Sequence, residues 1–282
     1  MFTQCACPLT PSHAATDLPQ TYHYNLNKPK WYTKQASSVT KGQKKQLSLH
    51  SPQFLVPTPA QFGTKLVFQS LYPTPGPLIF EIGFGLGANL LSMARHNPSS
   101  NFLGAEIHRS SLSQCMATAA EMGCTNVKLY GGDAVKLLKN NMEDSALDQV
   151  IILFPDPWLT DGSMDKQHKG GNHDSASAVV PDASSAASST ASSADPAGDR
   201  RVVCPETIDI IYAKLKPEGL LHIATDADSY AIHVDTLMGD RKDFVGGIVD
   251  APEWRRQAET KYEKRAKEEL GHVVRDFCFV KQ

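Results

Sequence analysis

Short apolar runs alternate with longer amphipathic stretches from residue 77 to the C-terminus. The short runs predict buried strands at residues 78–82, 102–107, 126–130, 148–154, 220–224 and 272–280. Between them, apolar residues recur at helical spacing, which predicts helices at residues 86–95, 110–122, 134–140, 205–215, 229–238 and 253–269. Strands that alternate with helices indicate a parallel sheet with helices on both faces, so the pattern predicts an α/β fold.

One segment interrupts this alternation. Residues 160–199 are rich in Ser and Ala, and residues 183–194 contain almost nothing else. Such a composition offers too little apolar surface to offset the entropy of ordering. The alanines could support a helix, but the density of serine and the flanking Pro181 and Pro196 argue against one. We therefore expect one domain over residues 77–282, with a flexible insertion at about 160–199.

Composition excludes several classes of protein. The 282 residues are 41% hydrophobic and 21% charged, as in an ordinary globular protein with its own core. The central apolar run, residues 150–154, is too short to span a membrane, and the N-terminus lacks the pattern of a secretory signal. The six cysteines are scattered and form no CxxC pair, so we expect reduced cysteines in a cytoplasmic protein, without a metal and without a membrane anchor.

The net charge of −2 hides an uneven distribution. No acidic residue occurs between Leu18 and Phe80, whereas seven lysines lie there among tyrosines and a tryptophan: Lys28, Lys30, Lys34, Lys41, Lys44, Lys45 and Lys65. A basic segment with aromatic residues suits contact with phosphates and stacking on bases. A solvated, partly disordered tail is an equally good interpretation. We describe residues 1–76 as a basic, partly ordered N-terminal extension.

A glycine-rich motif follows the first predicted strand. Gly83, Gly85 and Gly87 alternate along the chain, and Glu81 precedes them. Glycines let the backbone turn tightly and approach a ligand, and the start of the next helix offers free N–H groups. A dinucleotide site would favour G-x-G-x-x-G, whereas the spacing here is G-x-G-x-G. The carboxylate of Glu81 suits an ammonium group, such as that of S-adenosylmethionine, although a purely structural turn is the alternative.

Two more acidic residues follow the next two predicted strands. Glu106 ends the second strand, where nucleotide-binding α/β folds place an acid on the ribose hydroxyls. Asp133 follows the third, where it could accept from the adenine amino group or cap the next helix. Three acids at the ends of successive strands favour a ligand site, because ligands of open α/β sheets bind at that edge.

The fourth predicted strand leads into a stiff loop. Residues 154–158 read Phe-Pro-Asp-Pro-Trp, and the two prolines restrict the backbone on both sides of Asp156. Such a loop suits a flat ring, on which Trp158 could stack and with which Asp156 could form hydrogen bonds. A buried tryptophan that anchors a turn is the alternative interpretation.

Together these blocks resemble the tRNA (guanine-N7)-methyltransferases. The resemblance rests on residues 81–87, 102–108, 154–158, 225–226, 260–263 and 271–272, and Thr-Lys-Gly-Gln at 40–43 is similar to an upstream element of that family. It covers residue 40 to the C-terminus except the insertion. It implies a Rossmann-like class I methyltransferase fold, with a mostly parallel seven-stranded sheet and S-adenosyl-L-methionine as the cofactor.

The resemblance also implies roles for individual residues. Positions that match Glu81, Glu106 and Asp133 bind the cofactor, next to Gly83, Gly85 and Gly87. Other matching positions surround the target guanine and the methyl group: Asp156 (the expected catalytic residue), Asp226, Thr260 and Glu263. Guanine N7 carries a lone pair and no proton, so the reaction needs positioning and charge stabilisation rather than a general base, a metal or a nucleophilic side chain.

The chain departs from the family after Trp158. The family continues with a lysine and a basic run that ends in paired arginines, whereas Leu159 and Thr160 stand here and the basic run is split by the insertion. We expect the parts of that run to bind tRNA: Lys166, His168, Arg200 and Arg201. An arginine-rich stretch upstream of residue 40 is also missing, and lysines replace part of its charge.

The favoured function is methylation of N7 of guanine 46 in the tRNA variable loop by a cytoplasmic monomer or homodimer. Two alternatives stay open. One is a diverged paralogue that binds tRNA or cofactor with little activity. The other is a class I methyltransferase that acts on another RNA or on a small molecule.

Overall fold

A seven-stranded β-sheet lies at the centre of the computed structural model, which describes residues 39–56, 66–156, 201–249 and 259–282. The strand order is β3-β2-β1-β4-β5-β7-β6. All neighbouring pairs are parallel up to β5, and β7 is antiparallel to both β5 and β6. The strands are β1 (Leu78–Ile82), β2 (Asn101–Ala105), β3 (Val127–Tyr130), β4 (Leu147–Leu153), β5 (Leu215–Thr225), β6 (Phe244–Ile248) and β7 (Arg275–Lys281).

Helices cover both faces of this sheet. They are α1 (Lys41–Phe54), α2 (Ala88–His96), α3 (Arg109–Glu121), α4 (Ala134–Asn141), α5 (Pro205–Lys214), α6 (Asp228–Gly239) and the short α7 (Lys261–Arg265), which continues as a π-helical turn at Ala266–Leu270. Side chains alternate along a strand, so β1 supplies both cores. Ile79 packs with α1, α2 and α3, whereas Phe80 and Ile82 pack with α4, α5 and α6. The α/β fold with a mostly parallel seven-stranded sheet is confirmed.

Strand β6 is the element that the apolar pattern missed. Phe244 is buried, but the rest of the strand is largely exposed and contains Gly246 and Gly247. An edge strand without an apolar run gives no periodic signal. Of the helix expected at residues 253–269, residues 253–258 lie outside the described part of the chain, and the helical segment that is described begins at Lys261, after its N-cap Thr260.

The basic N-terminal extension contributes α1 to the core. Thr40 caps this helix: its Oγ1 accepts from Gln43 N, and Gln43 Oε1 accepts from Thr40 N. Leu47 and Phe54 are buried in the cluster that α2 and α3 complete. Val56 N then donates to the carbonyl of Leu129 in β3. Residues 39–56 therefore pack on the sheet, although the sequence pattern placed them in the extension before residue 77.

Four of the six cysteines lie within the described ranges. Cys115, Cys124, Cys204 and Cys278 are buried free thiols, whereas Cys5 and Cys7 lie outside those ranges. No described helix combines the length and the apolar character that a membrane crossing requires. The same residues contain no group of three or more metal-ligating side chains.

Candidate active site at the carboxyl edge of the sheet

A pocket lies where the strand order reverses, at the carboxyl ends of β1, β2 and β4. Open α/β sheets bind ligands at this switch point, because the loops on its two sides diverge and leave a crevice. The lining residues come from the ends of four strands and the segments that follow them, from the segment before α5 and from α7: Ile82, Gly83, Gly85, Ala105, Glu106, Ile107, His108, Gly132, Asp133, Ala134, Ile152, Leu153, Phe154, Pro155, Asp156, Val202 and Tyr262.

The glycine loop forms the floor of the pocket. Gly83, Gly85 and Gly87 have φ angles of +75°, +57° and +83°, which side chains with a Cβ rarely adopt. A Cβ at Gly87 would lie 2.4 Å from Cys115 Sγ, so this glycine also permits α2 to pack against α3. A Cβ on Gly83 or Gly85 would meet nothing within 4 Å. Those two positions therefore leave open space for a ligand next to the backbone.

Glu81 is the next-to-last residue of β1, two positions before Gly83. Its side chain is buried, with 2% of the residue exposed, and it does not line the pocket directly. Its Oε2 accepts from Asn89 Nδ2 at 3.0 Å. Burial raises the pKa of the Glu81 carboxyl to about 7, the hydrogen bond from Asn89 opposes that rise, and the charge of Glu106 adds to it. Glu81 is thus a buried acid whose carboxyl group accepts a hydrogen bond from the side-chain amide of Asn89.

Glu106 follows β2 and lines the pocket. Its Oε2 accepts from Gly85 N and its Oε1 accepts from His108 N, both at 2.9 Å. Burial raises the pKa of this carboxyl, and the backbone hydrogen bonds from His108 and Gly85 oppose the rise. The side chain therefore links the glycine loop to the start of α3, and its position agrees with the ribose role expected from the sequence.

Asp133 performs the capping role that the sequence left open. Its Oδ1 accepts from Val135 N at 3.0 Å and from Lys136 N at 3.2 Å, which caps α4. Its Oδ2 is buried without a hydrogen-bond partner among the described residues. Burial raises the pKa of this carboxyl. The cap uses Oδ1, whereas Oδ2 lies 3.8 Å from Lys136 Nζ, an ion-pair distance without a hydrogen bond, so Oδ2 can still accept from a donor in the pocket.

These features fit S-adenosylmethionine. The open backbone at Gly83 and Gly85 accommodates a close ligand, and Asp133 Oδ2, which has an ion-pair partner but no hydrogen-bond donor, can accept from an adenine amino group. Glu106 presents a carboxylate between these two points. The residues present thus match a ligand with a nucleoside at one end and an ammonium group at the other.

The segment after β4 forms the opposite wall. Phe154 has a φ of +49°, rare for a bulky side chain, and its N–H donates to the carbonyl of Ala224. This turn brings Pro155 and the exposed Asp156 to the pocket. Pro157 and Trp158 lie outside the described residues, so the expected stacking role of Trp158 is untested.

Helix α7 stands beside that wall. Thr260 caps it, with its Oγ1 accepting from Glu263 N at 3.1 Å. The Glu263 side chain is buried and accepts from Lys267 Nζ. Tyr262, between them, lines the pocket and stacks on Phe154. Thr260 and Glu263 thus stabilise the segment that carries Tyr262 and do not themselves line the pocket.

Asp226 follows β5, the next strand along the edge. Its Oδ2 lies 3.2 Å from His272 Nδ1, in the loop that leads from α7 to β7. It stands at the same edge of the sheet but outside the lining residues. Of the expected basic residues, Arg201 is described and half-buried, whereas Lys166, His168 and Arg200 lie outside the described ranges.

The structure adds two residues that sequence reasoning did not assign. Asn89 supports the buried Glu81, and Tyr262 lines the pocket. Asn89 lies two residues after Gly87, at the start of α2, which brings it near Glu81. Its polar side chain alone did not indicate a contact with Glu81. Tyr262 lies in the sequence block at residues 260–263, and its aromatic side chain between Thr260 and Glu263 was the signal that could have identified it.

Comparison with known proteins supports these observations. A family model described as "Putative methyltransferase" matches residues 75–168. The tRNA (guanine-N(7)-)-methyltransferase of Yersinia enterocolitica is 32% identical over 88% of this chain and 89% of the relative. The protein of the same name from Aeromonas hydrophila is 30% identical over 90% and 92%, and that from Psychromonas ingrahamii is 33% identical over 77% and 76%.

Fold and site together define a class I methyltransferase that uses S-adenosylmethionine. The strand order, the glycine loop after β1 and the acids after β1, β2 and β3 are the elements that place it in this class. Within the class, the chain belongs to the tRNA (guanine-N7)-methyltransferase family.

Proposed function

We propose that this protein transfers the methyl group of S-adenosylmethionine to N7 of guanine 46 in the variable loop of tRNA. The observation that carries the proposal is the meeting of two sets of residues in one pocket. Glu106, Asp133 and the glycine loop form one half, and Asp156 and Tyr262 form the other. Cytoplasmic tRNA is the substrate that the proposal implies, and the chemistry calls for neither a metal nor a membrane.

The cofactor half holds a nucleoside and an amino acid. Asp133 Oδ2 accepts from the adenine amino group, and Glu106 accepts from the ribose hydroxyls while it keeps its bonds to Gly85 and His108. Glu81 supplies the negative charge for the ammonium group. Each of these carboxylates is already buried in the folded protein, and burial strengthens its interaction with a donor.

When bound, the sulfonium supplies a methyl carbon: its bond to sulfur breaks with the electron pair left on sulfur, while the N7 lone pair forms the new bond and positive charge passes to the purine. No proton moves. Asp156 accepts from the guanine N1–H and amino group and offsets the new charge. Asp226 and Glu263 lie outside the lining residues, next to His272 and Lys267, and act by positioning the segments that carry them. The residues therefore position the base and stabilise charge, without a general base.

The basic start of α1 is the proposed contact with the tRNA backbone. Lys41, Lys44 and Lys45 are exposed in its first turns, where positive charge opposes the helix dipole. Such placement costs stability, which favours a binding role. Gln43 lies within this group, and its carbonyl accepts from Ser113 Oγ in the first turn of α3. The lysines thus lie close to the helix start that borders the pocket.

Nucleoside analysis tests this function directly. The protein is incubated with methyl-labelled cofactor and bulk tRNA, and the tRNA is then digested and separated. We expect the label in 7-methylguanosine at position 46. Label in another nucleoside or another acceptor would contradict the proposal in favour of a different substrate. Cofactor binding without labelled product would contradict it in favour of a paralogue that has lost activity.

The lysines yield a separate prediction. Replacement of Lys44 and Lys45 with alanine should weaken tRNA binding and lower the slope of log K against log salt by about one per lysine, because each phosphate contact releases counterions. The rate of single-turnover methylation at saturating tRNA should stay unchanged. Filter binding from low to moderate salt measures the slope.

A matched pair of lysines serves as the control. Lys139, near the end of α4, is paired with Glu206, and Lys242 is exposed between α6 and β6, so neither lysine lies on α1. Their double replacement removes the same charge from the protein but should leave the slope at the parental value. If both double variants kept the parental slope, the tRNA backbone would not contact the lysines of α1.

A further inference from the structure

Tyr262 presents an aromatic ring at the pocket while 57% of the residue stays exposed. Large aromatic side chains are usually buried more completely, so an exposed one that lines a pocket suggests a contact with a ligand. The ring stacks on Phe154, with the centroids 6.4 Å apart and the planes 26° from parallel. One side of Tyr262 is therefore supported by protein.

The support for this ring is a strained turn. Phe154 has a positive φ, a conformation that costs energy for a bulky residue and that concentrates at functional sites. The turn places the Phe154 ring against Tyr262 and brings Asp156, two residues further on, to the same wall of the pocket. Tyr262 and Asp156 are thus positioned by one feature of the backbone.

The charged groups near the Tyr262 ring also favour a contact with a ligand. Burial raises the pKa of the Tyr262 hydroxyl, and the carboxylates of Asp156 and Glu106 raise it further. The ring therefore lies within the field of one acid from the cofactor half and one from the substrate half. A methyl group would pass from the cofactor half to the substrate half at this boundary.

We propose that the Tyr262 ring stacks on the target guanine and stabilises the positive charge that methyl transfer places on it. The inference rests on the proposed function and adds a substrate-binding residue to it. In the transfer, the N7–C bond forms as the C–S bond breaks, the electron pair of that bond stays on sulfur, and the purine becomes cationic.

The geometry of N7 explains why a stacking surface is needed. The lone pair of N7 lies in the plane of the purine, so the methyl group must approach along that plane. Hydrogen bonds that the edge of the base donates to Asp156 restrict rotation within the plane but leave its tilt free. Contact with a flat ring fixes the tilt. An electron-rich ring also attracts a cation, so the contact strengthens as positive charge develops on the purine.

Three substitutions test the stacking role. Tyr262→Phe keeps a flat ring but lacks the hydroxyl that makes the ring electron-rich, so its single-turnover rate should lie between those of the parent and of Tyr262→Leu. Tyr262→Leu keeps apolar bulk without a ring and should be slower by about 5- to 150-fold, the range expected for the loss of one stacked base. Tyr212→Leu is the matched control: Tyr212 packs edge-on against Phe244 near the end of α5, away from the pocket, and should methylate at the parental rate.

An isosteric series separates this role from simple packing. Mono-, di- and trifluorophenylalanine at position 262 keep the shape of the ring but withdraw electrons from its face. We expect the single-turnover rate to fall with each fluorine, by about 2- to 30-fold over the series, because the attraction to a cation weakens. Affinity for S-adenosylhomocysteine and the melting temperature should stay constant across the series.

The outcomes distinguish this inference from the proposed function. A parental rate in Tyr262→Leu, or equal rates across the fluorinated series, would overturn the role of Tyr262 while 7-methylguanosine formation by the parent still supports the function. Absence of 7-methylguanosine from the parent reaction would overturn both.

Discussion

Replacement of Asp156 with alanine is expected to slow single-turnover formation of 7-methylguanosine by roughly 30- to 1000-fold. One oriented charged contact in an active site commonly contributes about 2–4 kcal/mol to transition-state stabilisation. Asp156 lines the pocket at the end of the turn that Phe154 begins, and Pro155 restricts the backbone before it. Its carboxylate is therefore placed with little freedom, as an orienting group must be.

The loss should fall on the chemical step rather than on cofactor binding. Asp156 lies on the wall formed after β4, whereas Glu106 and Asp133 lie on the cofactor half of the pocket. We therefore expect the affinity of Asp156→Ala for S-adenosylhomocysteine to stay within about twofold of the parental value. Asp156→Asn, which keeps hydrogen-bonding capacity but removes the charge, should give an intermediate rate.

An acidic residue elsewhere provides the control. Asp235 is exposed on α6, and Asp235→Ala removes one negative charge from the same protein without touching the pocket. Its single-turnover rate should equal that of the parent. If Asp156→Ala also reacted at the parental rate, Asp156 would have no role in the reaction.

The alternation of apolar runs was sufficient to predict the central sheet. Both faces of a parallel strand such as β1 are buried, so its sequence is apolar except for Glu81 and ends where the glycine loop begins. For the same reason the acids after β1, β2 and β3 could be placed at one edge before any coordinates were known. The register of parallel strands brings their carboxyl ends together.

The elements that the pattern missed depend on partners distant in sequence. Helix α1 carries lysines and glutamines over most of its surface, and only Leu47 and Phe54 identify its buried side. Its position is determined by α3 and by the carbonyl of Leu129, which lie far along the chain. Strand β6 likewise depends on β7, which lies beside it, because Gly246 and Gly247 weaken the strand tendency of Phe244, Val245 and Ile248.

The pocket shows a similar division. Chemistry-bearing residues such as Glu106 could be found from their place after a strand, but hydrogen bonding decides what each one contributes. Asp133 is both a helix cap and a possible ligand contact, since its two oxygens have different surroundings. Glu81 is expected in the pocket but is not one of its lining residues, whereas Gly83 and Gly85, where the backbone turns, do line it.

Glu81 should destabilise the ligand-free protein above neutral pH. Burial raises its pKa from an ordinary value of 4.5 to about 7, so the folded protein binds a proton there that the unfolded chain releases. Stability from this group is therefore complete below about pH 4.5 and is lost as the pH rises through 7, by about 3 kcal/mol in all. Glu81→Gln, which keeps the bond from Asn89, should be more stable than the parent by up to this amount at pH 8. Urea denaturation at pH 5 and pH 8 measures the difference, which should disappear at the lower pH.

A buried acid that costs stability needs a compensating ligand, and the ammonium group of the cofactor is the candidate. An ammonium favours the carboxylate form of Glu81, so binding should release a proton below pH 7 and should weaken by up to tenfold per pH unit as the pH falls. Glu81→Gln should lose this pH dependence. It should also bind S-adenosylhomocysteine about 10- to 150-fold more weakly than the parent at pH 8, because a charge-assisted interaction is lost. Calorimetric titration at pH 6 and pH 8 tests both statements, and parental affinity of Glu81→Gln at pH 8 would show that the ammonium group binds elsewhere.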